Sequence, residues 1–140
     1  MKNQRPKVII DTNLWISYLP SGELVSLDKI VSNHKIELIF CKELWEELLE
    51  VTQRPKFRKY FPIKEVDLLV QKLEARSTTI RIVSEINDCR DSKDNFLLAL
   101  AKDSESDYLV TGDKDLLVHH PYGNTRILTF AQFIKEVPTP

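Results

Sequence analysis

The chain has 140 residues, 42% of them apolar and 29% charged, with a formal net charge of -1. That composition supports one domain with a real core and a solvated surface, and it argues against a disordered or low-complexity chain. Three glycines leave no glycine-rich phosphate loop, and near-neutral charge leaves a nucleic-acid partner open, because clustered carboxylates can offset a basic patch. Cys41 and Cys89 form no Cys-x-x-Cys pair, and His34, His119 and His120 stand at no metal-ligand spacing from them, which argues against zinc. Both cysteines read as reduced, partly buried thiols. No apolar run approaches the ~20 residues that span a bilayer, and the polar start M-K-N-Q-R-P-K carries no leader pattern, so a cytoplasmic location without membrane attachment is expected.

In chain order, Val8-Ile9-Ile10 is a short buried strand that meets Asp11-Thr12-Asn13 at its end. Leu14 to Leu19 reads as a short helix, broken at Pro20-Ser21-Gly22, and Leu24 to Val31 carries a helical stripe. Ile36 to Phe40 is a second strand. Glu43 to Val51 is an amphipathic helix with Leu44, Leu48 and Val51 on its core face, ended by Pro55. The segment 54–61, R-P-K-F-R-K-Y-F, interleaves Arg54, Lys56, Arg58 and Lys59 with aromatics. It reads either as a surface for RNA, with Phe57 or Tyr60 stacking on a base, or as a loop whose aromatics anchor it to the core. A helix from Lys64 to Ala75, a strand from Thr79 to Val83 and an apolar helix from Lys93 to Lys102, capped by Asp91 or Ser92, follow. Tyr108 to Thr111 is a strand ending at Gly112, whose glycine suits a positive φ or a close backbone approach. Arg126 to Leu128 is the last strand, and Thr129 caps a helix to about Glu136. Strands alternate with helices throughout, which predicts a single domain over 1–140 of three-layer α/β class with a mostly parallel, roughly five-stranded sheet. Trp15 and Trp45 fall on apolar helix faces and read as core. His119 and His120 read as loop residues.

Four acids stand beside core elements: Asp11, Glu47, Asp94 and Asp113. In a parallel sheet, functional groups gather beyond the carboxyl ends of the strands, where Asp11 and Asp113 lie. Asp11 reads as a helix cap or, if Thr12 and Asn13 cap instead, as a cation ligand. Among Glu43, Glu46, Glu47 and Glu50, position favours Glu47 as the inward carboxylate. Asp91, Asp94 and Asn95 share one face of a helical first turn, either as dipole-favoured acids or as part of a site. Asp113 and Asp115 point in different directions, so Asp113 is expected at the site and Asp115 is expected to cap or brace the next turn. Converging carboxylates repel one another, and a hard divalent cation relieves that repulsion.

In this order the motifs D-T-N, the acidic helix followed by R-P-K-F, D-x-x-D-N-x-x-L-A-L-A and L-V-T-G-D-K-D-L-L resemble the PIN-domain ribonucleases, over nearly the whole chain. They look most like the VapC-like subgroup of toxins from toxin–antitoxin pairs. The resemblance implies a PIN-like fold and a Mg2+- or Mn2+-dependent endoribonuclease, with one or two ions. It implies catalytic Asp11, Glu47, Asp94 and Asp113, with Asp11, Asp94 and Asp113 on the metal, and support from Thr12, Asn13, Asp91, Asn95, Thr111 and Asp115. It also implies an RNA substrate, a cognate antitoxin protein and a homodimer as a further possibility. Two rivals remain. An aspartyl phosphatase would want a second Asp at position 13, which is Asn. A PIN-like module that only binds RNA or protein would not need all four acids.

Overall fold

The structure is a computed structural model that describes residues 5–14, 33–60, 62–87 and 94–136. The helices expected over 14–19 and 24–31, Trp15, Cys89 and Asp91 lie outside the described residues, apart from the first residue of the first helix. Five strands form one sheet: β1 (Lys7–Ile10), β2 (Glu37–Phe40), β3 (Ser77–Thr79), β4 (Tyr108–Val110) and β5 (Arg126–Leu128). Their spatial order is β3-β2-β1-β4-β5, and every pairing is parallel. The described helices are α1 (Lys42–Thr52), α2 (Pro55–Tyr60), α3 (Ile63–Arg76), α4 (Asn95–Ser104), α5 (Lys114–Leu117) and α6 (Phe130–Glu136).

Successive side chains of a strand point to opposite faces of its sheet. Val8, Ile9 and Ile10 are all buried, as are Leu38, Ile39 and Phe40, so both faces of the central strands are covered. That is the three-layer α/β arrangement expected for a parallel sheet with continuous apolar strands. Leu44, Leu48 and Val51 of α1, Leu69 and Leu73 of α3, and Leu97, Leu98 and Leu100 of α4 join one core with the strands. Trp45 stacks on Phe40 with ring centroids 4.1 Å apart, and its indole N–H donates to Thr79 Oγ1 at 3.1 Å.

Three details differ from the sequence reading. The third strand is Ser77–Thr79, not Thr79–Val83. Its partner β2 is short: Leu38, Ile39 and Phe40 pair with Ser77, Thr78 and Thr79, and Ile80 N closes the register on Phe40 O at 2.7 Å. Pro55 does not simply end a helix but begins α2, at the position where its missing N–H costs nothing. Gly112 has no positive φ, and an added Cβ would meet Leu14 Cδ2 at an ordinary 3.7 Å, so that glycine is not required by backbone conformation. At the C-terminal end, Thr129 Oγ1 accepts from Gln132 N at 3.2 Å while Gln132 Oε1 accepts from Thr129 N at 2.9 Å, a reciprocal capping box. His120 is structural: its Nδ1 accepts from Ile127 N at 2.9 Å on edge strand β5. No helix of the described residues is long and apolar enough to cross a membrane.

Candidate active site

The strand order reverses at β1. The chain builds outward through β2 and β3, then returns to add β4 and β5 on the other side. A crevice forms at such a switch point, beyond the carboxyl ends of β1 and β4. Asp11 follows β1 directly, and Thr111 and Asp113 follow β4. The C-terminal end of α4 lies at the opposite edge of the sheet, where Lys7 Nζ donates to Ser104 O at 3.2 Å. The helix therefore presents its N-cap residue, Asp94, at the crevice.

Asp11, Asn13, Glu47, Arg54, Asp94, Phe96, Leu97 and Asp113 line one cavity of about 180 Å3. Four stretches of chain thus bring the four expected acids to one place. Asp11 is nearly fully buried. Its Oδ1 accepts from Asn13 N at 3.1 Å and its Oδ2 accepts from Thr111 Oγ1 at 2.9 Å. Burial pushes its carboxyl above the usual carboxylate range, and the negative charges of Glu47 and Asp113 push the same way against those two hydrogen bonds. Asp11 therefore performs the local turn bonding itself. Thr12 does not cap: its hydroxyl donates to Glu47 Oε1, tying β1's end to α1. Asn13 contributes its backbone N–H, with its side chain at the exposed rim.

Glu47 is half-buried, whereas Glu43, Glu46 and Glu50 are exposed. Asp94 occupies the N-cap position of α4 but makes no capping hydrogen bond to that helix. One of its oxygens, Oδ2, is buried and receives no hydrogen bond from the described residues, while the residue is otherwise engaged. Asp113, not Asp115, caps α5: its Oδ1 accepts from Asp115 N at 2.9 Å. Thr111 Oγ1 accepts from Asp113 N at 3.1 Å while donating to Asp11, so one hydroxyl sets the spacing of two acids. Asp115 is half-buried and does not line the cavity. Asn95 lines an adjoining cavity, which shares Phe96 with this one.

The basic segment divides. Phe57 is fully buried in the core, so it anchors the chain and is not available to stack on a base. Arg58 Nε donates to Thr52 O at 3.2 Å, closing the end of α1. Lys56 and Lys59 are exposed on α2. Of the four basic residues that the sequence offers for RNA, Arg54 is the one that lines the acidic cavity. Arg54 follows α1 by two residues and precedes Pro55, so no helical periodicity points it at Glu47; the turn between α1 and α2 brings it there.

The cavity's acidic lining offers carboxylate oxygen and neither thiol nor imidazole, a donor set suited to a hard divalent cation. Among the described residues, no three His, Cys, Asp or Glu side chains are grouped so as to hold an ion by themselves. The acids surround a space. That suits an ion such as Mg2+, which keeps several waters and takes only one or two carboxylates directly.

The PIN domain family model matches residues 7–115, which contain all four acids. No curated protein matches. Among solved structures, the fold is similar to PAE2754 from Pyrobaculum aerophilum, at TM-score 0.61 and 12% identity over 93% of this chain and 88% of that one. It is also similar to VapBC2 from Rickettsia felis bound to a DNA fragment from their promoter, at TM-score 0.52 and 13% identity over 86% of this chain and 96% of that one. With the model spanning most of its length, the chain belongs to the PIN-domain family.

Proposed function

We propose that the chain is a Mg2+- or Mn2+-dependent endoribonuclease, the toxin of a toxin–antitoxin pair. The observation that carries this reading is the gathering of Asp11, Glu47, Asp94 and Asp113 around one cavity at the sheet's switch point. Membership of the PIN family, whose members are generally nucleases, supports it. The likeness of fold to VapBC2 supports a cognate antitoxin as partner.

Asp11, Asp94 and Asp113 are the residues that would hold one or two ions, directly or through water. A bound divalent cation would supply a lowered pKa for water and neutralisation of charge on the phosphate oxygens. Glu47 orients the attacking water and takes its proton. The water oxygen bonds to phosphorus as the bond to the leaving ribose oxygen breaks, and that oxygen leaves protonated from solvent. Thr12 holds Glu47 in place. Thr111 holds Asp11 and the turn that carries Asp113.

The test is cleavage of a mixed pool of structured and single-stranded RNA by the purified chain with EDTA, Mg2+ or Mn2+, alongside Asp94→Asn. Cutting that needs metal and is lost in the variant supports the reading. RNA binding without cutting, in any metal, replaces it with that of a PIN module that only binds.

A further inference from the structure

A cavity lined by four carboxylates repels the phosphate it would cleave, and RNA must approach it before any charge is relieved. Arg54 is the basic residue among the described residues that line this cavity. Its backbone is pinned. Arg54 N donates to Val51 O at 3.1 Å, and Arg54 O accepts from both Phe57 N and Arg58 N at 3.0 Å. Val51 and Phe57 are both fully buried, so the junction between α1 and α2 holds the Cα fixed at the cavity wall.

The side chain is held only lightly. Its guanidinium Nη2 donates to Glu50 Oε2 at 2.8 Å and its Nε to the same carboxylate at 3.1 and 3.2 Å. Both side chains are well exposed, at 45% and 61%. An exposed i,i+4 pair of this kind contributes little and is screened by salt. The two non-bridging oxygens of a phosphodiester offer the guanidinium the same fork that the Glu50 carboxylate offers.

Resting on the nuclease reading above, we infer that Arg54 is the phosphate-gripping and positioning residue of the acidic site, and that Glu50 is its resting partner in the absence of RNA. On binding, the guanidinium exchanges the Glu50 carboxylate for a phosphate oxygen pair of the strand at the cavity mouth. Glu50 thereby acts as a weak internal competitor. The other basic residues of 54–59 are not placed for this role, since Arg58 is bonded to Thr52 O, and Lys56 and Lys59 do not line the cavity.

The experiment measures binding of a fluorescent single-stranded RNA in EDTA across a salt series, and cleavage kinetics with Mn2+. The proteins are wild type, Arg54→Ala, Arg54→Lys, Glu50→Gln and, as a control, Lys135→Ala, which lies on α6 and does not line the cavity. Arg54→Ala is expected to weaken binding about tenfold and to lower the slope of log affinity against log salt by about 0.7, the share of one phosphate on a single strand. Its kcat/KM is expected to fall mainly through KM, and Arg54→Lys to recover part of the binding but not the full rate. Glu50→Gln is expected to bind about twofold more tightly, in keeping with the small worth of an exposed pair, and Lys135→Ala to match wild type. A wild type that cuts while Arg54→Ala keeps its affinity, salt slope and kcat/KM, with an unchanged melting profile, overturns the role of Arg54 alone. A folded wild type that neither binds nor cuts RNA overturns the nuclease reading and this inference with it.

Discussion

Thr111 Oγ1 donates to Asp11 Oδ2 at 2.9 Å across 100 positions of sequence, and both residues are buried. That bond joins the ends of β1 and β4, the two strands flanking the crevice. Thr111→Val keeps the shape and removes both the donor to Asp11 and the acceptor of Asp113 N. It leaves a buried carboxylate oxygen without that partner, and is expected to cost about 1–3 kcal/mol at neutral pH. Urea titration checks it, and a variant as stable as wild type would show that this bond is dispensable.

Asp11 predicts a second stability effect with the opposite sign. Its carboxyl is raised by burial, so the folded chain binds that proton more tightly than the unfolded chain. Its contribution to stability is full below the unfolded value of 3.8 and is lost as pH rises through the folded value. Asp11→Asn carries no such charge, and the Thr111 hydroxyl can accept as well as donate. In EDTA the variant is expected to melt above wild type at about pH 7, with the gap closing on acidification. Adding Mn2+ is expected to raise the melting temperature of wild type and to leave the variant in place. Melting curves at several pH values, with and without metal, test both halves.

Glu47 is held by the Thr12 hydroxyl, and the two act together. Glu47→Gln is expected to lower kcat by about 10^2-fold or more, the usual worth of a positioned acid–base group. Thr12→Val is expected to lower kcat less, with KM nearly unchanged in both. Single-turnover cleavage on one defined RNA separates these outcomes.

Asp103 ties the extended segment 80–87 to α4. Its carboxylate accepts from Val83 N at 2.7 Å, from Ser84 N at 2.9 Å and from the Ser84 hydroxyl. Ser84's hydrogen bonds hold the Asp103 carboxyl below the usual range, so the tie stabilises the fold above the unfolded value and is lost as pH falls through the folded one. Asp103→Asn is expected to speed amide exchange at Val83 and Ser84 severalfold at neutral pH, while leaving β1 and β4 protected. Hydrogen exchange read by mass spectrometry checks this.

Cys41 is fully buried, and burial pushes its thiol up to about 11. In a Cys89→Ser background it is expected to resist a disulfide reagent at neutral pH until the protein unfolds. Rapid labelling of the folded protein would contradict the burial.

Much of the framework is legible in the sequence because local chemistry and burial agree in it. Apolar runs end at Asp11 and Thr111, and Thr129 with Gln132 marks the last helix through a box whose members are three residues apart. The alternation of exposed and half-buried residues over Ile80 to Ile86 also has the period of a strand. It is not a ladder, because the register with β2 is used up at Thr79. That pairing depends on a partner about 40 residues away, which no local pattern contains. Capping is ambiguous between Thr12 and Asp11, and between Asp113 and Asp115, because both members of each pair suit the role. The choice is made by tertiary partners: Glu47 claims the Thr12 hydroxyl, and Thr111 fixes the turn that aims Asp113. By sequence Phe57 suits a base as well as a core, and only the packing of α2 decides it.

The most direct test of the central claim is RNA cleavage by the folded, antitoxin-free chain in EDTA, Mg2+ and Mn2+, with Asp94→Asn beside it. The account predicts cutting in Mg2+ or Mn2+, none in EDTA, and loss of the metal-dependent cutting in the variant, which gives up one carboxylate of the ion's site. Equal cutting by the variant, or no cutting by wild type in either metal, would contradict it.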